Sequence, residues 1–260
     1  HRRDNVPETA GRGSDMNTGH VFLLIVPVLC LLNAACAQQQ DVTSAGSGSS
    51  SLLYTEQEEG TDSYTVRILV NTNHIRLDDG YDGSDFVLME RKSRTMYSVS
   101  HEEGSILVIT TDTDELRQPA GLDINVEQEE DAGSPMIAGL QPVLVRVKAN
   151  DEVCYQAVVV PGLLPAAVAG LIEYARVLGV RQLDALDTVP DSLQTPCFLT
   201  RYVYSPERHL QYGLPIQEWD SSGYRRALLD FNAQEQVSQQ LFLLPPDYQY
   251  IRIDAAGTPK

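Results

Sequence analysis

The sequence predicts an α+β domain: a strongly curved antiparallel sheet, an unclosed half-barrel, with a helical insertion packed on its concave face. Three observations predict it. From Tyr64 to Val160, apolar and polar residues alternate in short runs separated by tight polar turns, which is the period of half-buried strands. Between Gly162 and Gly179 the period changes to that of a helix. After Gly213 the strand period returns, so strands and helix are segregated rather than alternating, as in α+β domains.

The chain before Tyr64 stands outside that pattern. Residues 1–15, HRRDNVPETAGRGSD, are polar and patternless and are read as an extension outside the fold. Val21 to Leu32 is an apolar run followed by small residues. It has the length of a signal-peptide core and is too short to span a bilayer as a helix. Residues 16–37 are therefore read as a signal peptide, and the protein as periplasmic or exported from a bacterium. Two exits are open. Ala35-Cys36-Ala37 fits cleavage after a small-x-small triplet, which leaves Gln38 first. LNAAC also resembles a lipobox, with Cys36 lipidated and the protein held at the outer membrane, although Asn33 stands where an aliphatic residue is usual. Plain cleavage is preferred, and membrane contact is expected only through such an anchor. Residues 38–63, opening QQQDVTSAGSGSSS, are read as a flexible Ser/Gly/Gln-rich linker. Residues 64–260 are read as a single domain.

In that domain YTVRILVN, HIRLDD, FVLMERK, TMYSVS and SILVITT form a meander with short polar turns. LDINVEQE, PVLVRVKA and VCYQAVVV add strands, the last two joined by a hairpin at KANDE. The helix places Leu164, Val168, Leu171, Ile172, Ala175 and Leu178 on one face, with Pro165 in its first turn and Gly179 as a C-terminal cap. A second helical stretch is expected at RQLDALD or CFLTRYVYS. GLPIQEWD, YRRALLDFN and QLFLLPPDYQYIRID return to strands.

Charge and motifs narrow the function. The formal net charge is −17, a surface that repels nucleic acid and anionic headgroups. No Asn-x-Ser/Thr sequon occurs, in keeping with a bacterial envelope protein. Of four cysteines, Cys30 leaves with the signal and Cys36 is cleaved off or lipidated. Cys154 and Cys197 remain, and in an oxidising compartment two cysteines most simply make one disulfide. The segment DDGYDGSD, Asp78–Asp85, raises the question of calcium. Set as an EF-hand loop from Asp78, it carries Gly80 at the third position and Met89 at the twelfth, where the bidentate acid should be. It is read as a turn between strands, and no metal is expected. There is no G-x-S-x-G elbow, no H-E-x-x-H pair and no phosphate-cradling glycine loop. His74, His101 and His209 stand singly, so no catalytic residue and no cofactor are expected.

The most specific stretch is HLQYGLPIQEWDSSGYRRALLDFN followed by LFLLPPDYQYIRI, with Phe242, Pro245 and Tyr248 in an F-x-x-P-x-x-Y element. Together with the early meander it resembles a family of exported bacterial proteins of unknown function, similar in fold to the periplasmic lipoprotein carriers (LolA/LppX-like). The resemblance implies an apolar cavity between helix and sheet. Candidate walls are Leu164, Val168, Leu171, Ile172 and Leu178 from the helix, with Trp219, Phe242 and Leu244 from the late strands. It implies a non-enzymatic envelope protein that binds a lipid, another apolar ligand or an envelope protein partner. The alternatives are a structural module with a packed core and, third, a carboxylate-based hydrolase.

Overall fold

The computed structural model describes residues 48–110, 116–130 and 133–252. The readings of 1–15 as an extension, of 16–37 as a signal peptide and of Cys36 as a lipidation site concern residues outside the described ones. Among the described residues twelve strands form one sheet: β1 Ser49–Gln57, β2 Tyr64–Val70, β3 His74–Asp78, β4 Phe86–Glu90, β5 Thr95–Ser100, β6 Ser105–Ile109, β7 Ile124–Glu130, β8 Val143–Ala149, β9 Glu152–Val160, β10 Leu214–Trp219, β11 Arg225–Glu235 and β12 Gln249–Arg252. Their order is β12-β6-β5-β4-β3-β2-β1-β11-β10-β9-β8-β7. The end strands β12 and β7 do not pair with each other, so the sheet is open.

Two expectations about the sheet are corrected. The linker read over 38–63 gives way at Ser49 to β1, which pairs with β2 on one side and β11 on the other. This strand joins the N-terminal meander to the C-terminal strands. Leu52 and Tyr54 on it are fully buried, which two polar flanks and a run of serines had concealed. The sheet is also mixed rather than antiparallel, because β12 pairs with β6 in parallel. After β11 the chain crosses the face of the meander and reaches its far edge, and a crossover of this kind can return a strand in parallel.

Alternation along the strands divides the burial between the two faces. In β2, Ile68 and Val70 belong to one core, with Leu52, Tyr54, Ile75, Met89 and Met96. Leu69, between them, belongs to another on the opposite face, with Phe86, Leu88, Val99 and Ile106. The first core is covered by the helix α1, Pro165–Asp184. The second is covered by the returning segment that carries Leu241 and Phe242. A third core lies under residues 197–212, where Cys197, Leu199, Tyr204 and Tyr212 pack on β8 and β9.

The helix runs past the cap expected at Gly179 and ends at Ala185, whose N–H bonds to Arg181 O. Gly179 serves packing instead. A Cβ there would stand 2.6 Å from the carbonyl oxygen of Val203. Gly170 plays the same part nearer the N-terminus, where a Cβ would meet Val70 Cγ1 at 2.7 Å. Nine positions apart, the two glycines face opposite sides of the helix. One lets it close on β2, the other on the segment after the short helix Pro196–Phe198, which winds as a π-helical turn over Leu199–Tyr204.

Candidate functional site

Where α1 and the 199–206 segment part company, they leave a cleft of about 380 Å³ over the sheet. Leu171, Ala175 and Leu178 form its helix wall, at spacings that place all three on one side of α1. Cys154 and Val147 line the sheet side, and Leu210 also borders the cleft. Leu178 and Tyr202 stand at the rim, 38% and 41% exposed. A π-turn is often found at functional sites, and here it supplies Thr200, Arg201 and Tyr202 to the cleft. Thr200 is fully buried, and its hydroxyl has no hydrogen-bond partner among the described residues.

The floor is a charged ladder on three adjoining strands. Glu56 on β1 pairs across with Arg226 on β11, which pairs across with Glu218 on β10. Arg226 Nη1 donates to Glu218 Oε2 at 3.1 Å, and its Nε lies 3.0 Å from Glu56 Oε1. Its guanidinium sits 3.8 Å above the ring of Tyr54, whose hydroxyl donates to the Pro215 carbonyl at 2.9 Å. Glu218 accepts further bonds from the Tyr155 hydroxyl and from His209 Nε2, the latter at 2.9 Å. Burial alone would raise the Glu218 carboxyl, but the charge of Arg226, with His209 and Tyr155, holds it down at about 2. Burial has the upper hand at Glu56, whose carboxyl is raised. It also pushes the Tyr174 phenol up to about 12.

A second basic group stands beside this ladder. Arg201 is paired with Asp220 and lies among three tyrosine rings, 4.8 Å from Tyr155, 4.9 Å from Tyr202 and 4.5 Å from Tyr224. Glu56 and Glu218 thus share Arg226, and Asp220 holds Arg201. The cleft offers apolar walls above a charged floor.

The structure does not bring the eight candidate wall residues together. Leu171 and Leu178 line the cleft. Leu164, Val168 and Ile172 pack into the core between α1 and the sheet. Trp219 pairs across with Gln156 and Arg225, one residue on from Glu218 and so on the other face, where it borders a separate hollow. Phe242 and Leu244 belong to the core on the opposite face, where Phe242 stacks on His74. The residues missed were the polar ones: Glu56, Tyr155, Thr200, Arg201, His209, Glu218 and Arg226. No motif joins them, since they come from separate elements spread over most of the domain.

Cys154 and Cys197 are joined in a disulfide. The bond ties β9 to the short helix that leads into Thr200 and Arg201, and so anchors one wall of the cleft.

The aspartates of DDGYDGSD each have protein partners. Asp78 accepts two bonds from Arg67, both 2.8 Å, and one from Arg76 Nε at 2.6 Å. Asp79 accepts from the Tyr81 N–H and the Ser84 hydroxyl, Asp82 from Arg67, and Asp85 from the His101 N–H. This is turn and ion-pair chemistry. Buried Arg76 also lies 3.8 Å over the Phe86 ring and donates to the Leu241 carbonyl, which pins the returning segment.

No family model matches the sequence, and no curated protein matches it. Among solved structures, an uncharacterized conserved protein from Thermus thermophilus is similar over 81% of this chain and 94% of its own, at 9% identity and a TM-score of 0.41. PNGF-II is similar over 80% of this chain but only 31% of its own length, at 11% identity and a TM-score of 0.39. MucB is similar over 78% of this chain and 59% of its own, at 11% identity and a TM-score of 0.36.

Proposed function

We propose that this chain is a non-enzymatic, exported envelope protein that holds one small ligand with an apolar body in the cleft between α1, the 199–206 segment and the sheet. The sheet, twisted as all such sheets are, curls about α1 as an unclosed half-barrel with the helix on its concave side. The observation that carries this reading is the cleft itself, about 380 Å³ of space bordered by the apolar side chains of Leu171, Ala175, Leu178 and Leu210 above a charged floor. The volume of about 380 Å³ lies at the small end of ligand sites, which run from roughly 300 to 1,000 Å³. It suits a single chain or a compact ligand and is too small for a triacylated lipoprotein terminus. The resemblance to lipoprotein carriers therefore bears on architecture more than on cargo.

A hydrolytic role for the floor carboxylates is disfavoured by their bonding. Glu218 has three donors and no proton to give, and it fixes Arg226 and His209 rather than facing a substrate. Export agrees with the disulfide, which suits an oxidising compartment.

The test is a fluorescence titration with N-phenyl-1-naphthylamine, a neutral apolar dye. Saturable one-to-one binding to the native protein is expected, lost in Ala175→Trp, whose indole would fill the cleft. Ala175 is only partly buried, so the melting temperature of the variant should stay within a few degrees of the parent. No binding by the parent protein would mean that the apolar walls are simply core.

A further inference from the structure

We propose that the face of the sheet turned away from α1 carries a second site, for a neutral glycan chain, with one pyranose ring stacked on Trp219 and its hydroxyls bonded to Gln217, Gln156 and Arg225. The site is independent of the cleft, which lies on the other face.

Strand pairing assembles it. Arg225, Trp219 and Gln156 stand in one row across β11, β10 and β9, and Thr55, Ala227 and Gln217 stand in the next, across β1, β11 and β10. Alternation along the strands puts both rows on the face opposite Glu56, Glu218 and Arg226. The buried core on that side draws no residue from β1 or from β7–β11, so the rows face outward. Ala227 has the smallest side chain of the two rows, and it borders a hollow of about 500 Å³ together with Thr55, Gln217, Trp219 and Arg225.

Three features of the hollow select its ligand. Trp219 is the only tryptophan of the chain and is half-buried here instead of filling a core. The face of an indole carries negative potential, which suits the slightly positive C–H face of a sugar ring. Next, the polar groups around that ring are unspent. Gln217, Gln156, Arg225 and the Trp219 indole N–H have no side-chain hydrogen bond or ion pair among the described residues. An amide both donates and accepts, as a sugar hydroxyl does. Last, Arg225 is the one charged side chain in the two rows. Glu56, Glu218 and Arg226 also border the hollow, but they are engaged with one another. An acyl chain would meet a single ring and an alanine and would cover the amides without bonding them, which is costly. A pyranose has an apolar face for the indole and a polar edge for the amides, and no other part of the hollow asks for charge.

Emission from Trp219 reads the site directly, since no other tryptophan contributes. The protein is titrated with cellotetraose and with chitotetraose, two neutral glycans of equal length that differ in carrying hydroxyl or acetamido groups. A saturable change in emission is expected with at least one of them. A response to one alone supports the site and tells which sugar class it takes. Gln217→Ala should weaken that binding about ten-fold, the effect of one lost hydrogen bond. Trp219→Ala, followed by calorimetry, should bind neither glycan. No saturable change with either glycan overturns the proposal, and so does a Trp219→Ala or Gln217→Ala protein that binds as tightly as the parent. Gln217 is exposed, so its variant is expected to fold. Should Trp219→Ala not fold, Ala227→Leu takes its place: it fills the hollow, keeps the reporter, and should abolish the change in emission.

Discussion

Glu218 shows how a buried charge can be fixed so firmly that it becomes structural. Its carboxylate has Arg226, His209 and Tyr155 around it and almost no solvent. Removing one partner from such a group strands the others, which is why broken buried pairs cost several kcal/mol although intact pairs add little. Glu218→Gln is expected to destabilise the protein at neutral pH by about 3 kcal/mol. The pH dependence has a definite sign. A carboxyl whose folded pKa is depressed stabilises above its unfolded value, near 4.5, and loses that contribution as the pH falls toward about 2. Asp78, also lowered because Arg67 and Arg76 overcome its burial, acts in the same direction. Glu56 opposes them, since its raised carboxyl favours the fold when protonated, below its ordinary pKa. Melting curves from pH 7 to 2.5 should therefore show the parent losing stability below about pH 4.5, with the gap to Glu218→Gln closing as it does. A gap that stays constant to pH 2.5 would show that the mutation acts through packing and not through charge.

At the scale of elements, the cleft depends on how closely α1 approaches the 199–206 segment. Glycine inside a helix costs roughly 0.5–1 kcal/mol relative to alanine, so Gly179 needs a packing reason, and the Val203 carbonyl supplies it. The disulfide holds that same segment to β9 across a separation of 43 residues, and on chain entropy such a closure contributes about 4 kcal/mol. With the start of the segment held, a Cβ at 179 meets a backbone that yields little. Gly179→Ala is expected to cost about 1–3 kcal/mol by overpacking and to weaken dye binding, read from urea denaturation and the same titration. A stabilised variant with normal binding would mean that the helix shifts freely and the contact does not shape the cleft. Most elements of this architecture could be read from the sequence. The strands β2 to β11 alternate clearly, and the apolar face of α1 repeats at helical spacing. The returning segment gave less, because Leu241 and Phe242 belong to a 3-10 turn laid on the sheet, and a single turn has no period to detect. Gly179 reads in sequence as a cap because a cap is the commoner use of glycine near a helix end. The apolar wall of the cleft was legible for the same reason as the helix. Its floor was not: Glu56, Glu218 and Arg226 meet only through strand pairing between residues far apart in the chain.

For the molecule as a whole, β1 is the strand on which the two halves of the sheet meet. The meander β2–β6 follows it in sequence, and β11, β10, β9, β8 and β7 extend from its other edge. A central strand must hold both ladders and both faces, and β1 does so with little apolar sequence. Leu52 and Tyr54 fill the core under α1, Glu56 enters the charged ladder, and Ser49 and Ser50 are buried where larger side chains would not be. The sequence disguises it for that reason: the serines of SSSLLYTEQ continue a Ser/Gly-rich stretch, and small polar residues signal a linker unless a partner strand is known. Without β1, strands β2 and β11 would each present a bare edge, and the Leu52 and Tyr54 positions would leave a large void beneath the helix. Unpaired edges and voids of that size are costly together, against a total stability of only about 5–15 kcal/mol for a domain. Deleting residues 49–57 is therefore expected to abolish cooperative unfolding altogether. Circular dichroism in a urea titration reads this directly: the deletion should give a shallow, featureless curve where the parent gives a single transition. A sharp transition with an undiminished dependence on urea would show that the two halves close on each other without β1, and that the strand lies at the centre of the sheet without being needed to form it.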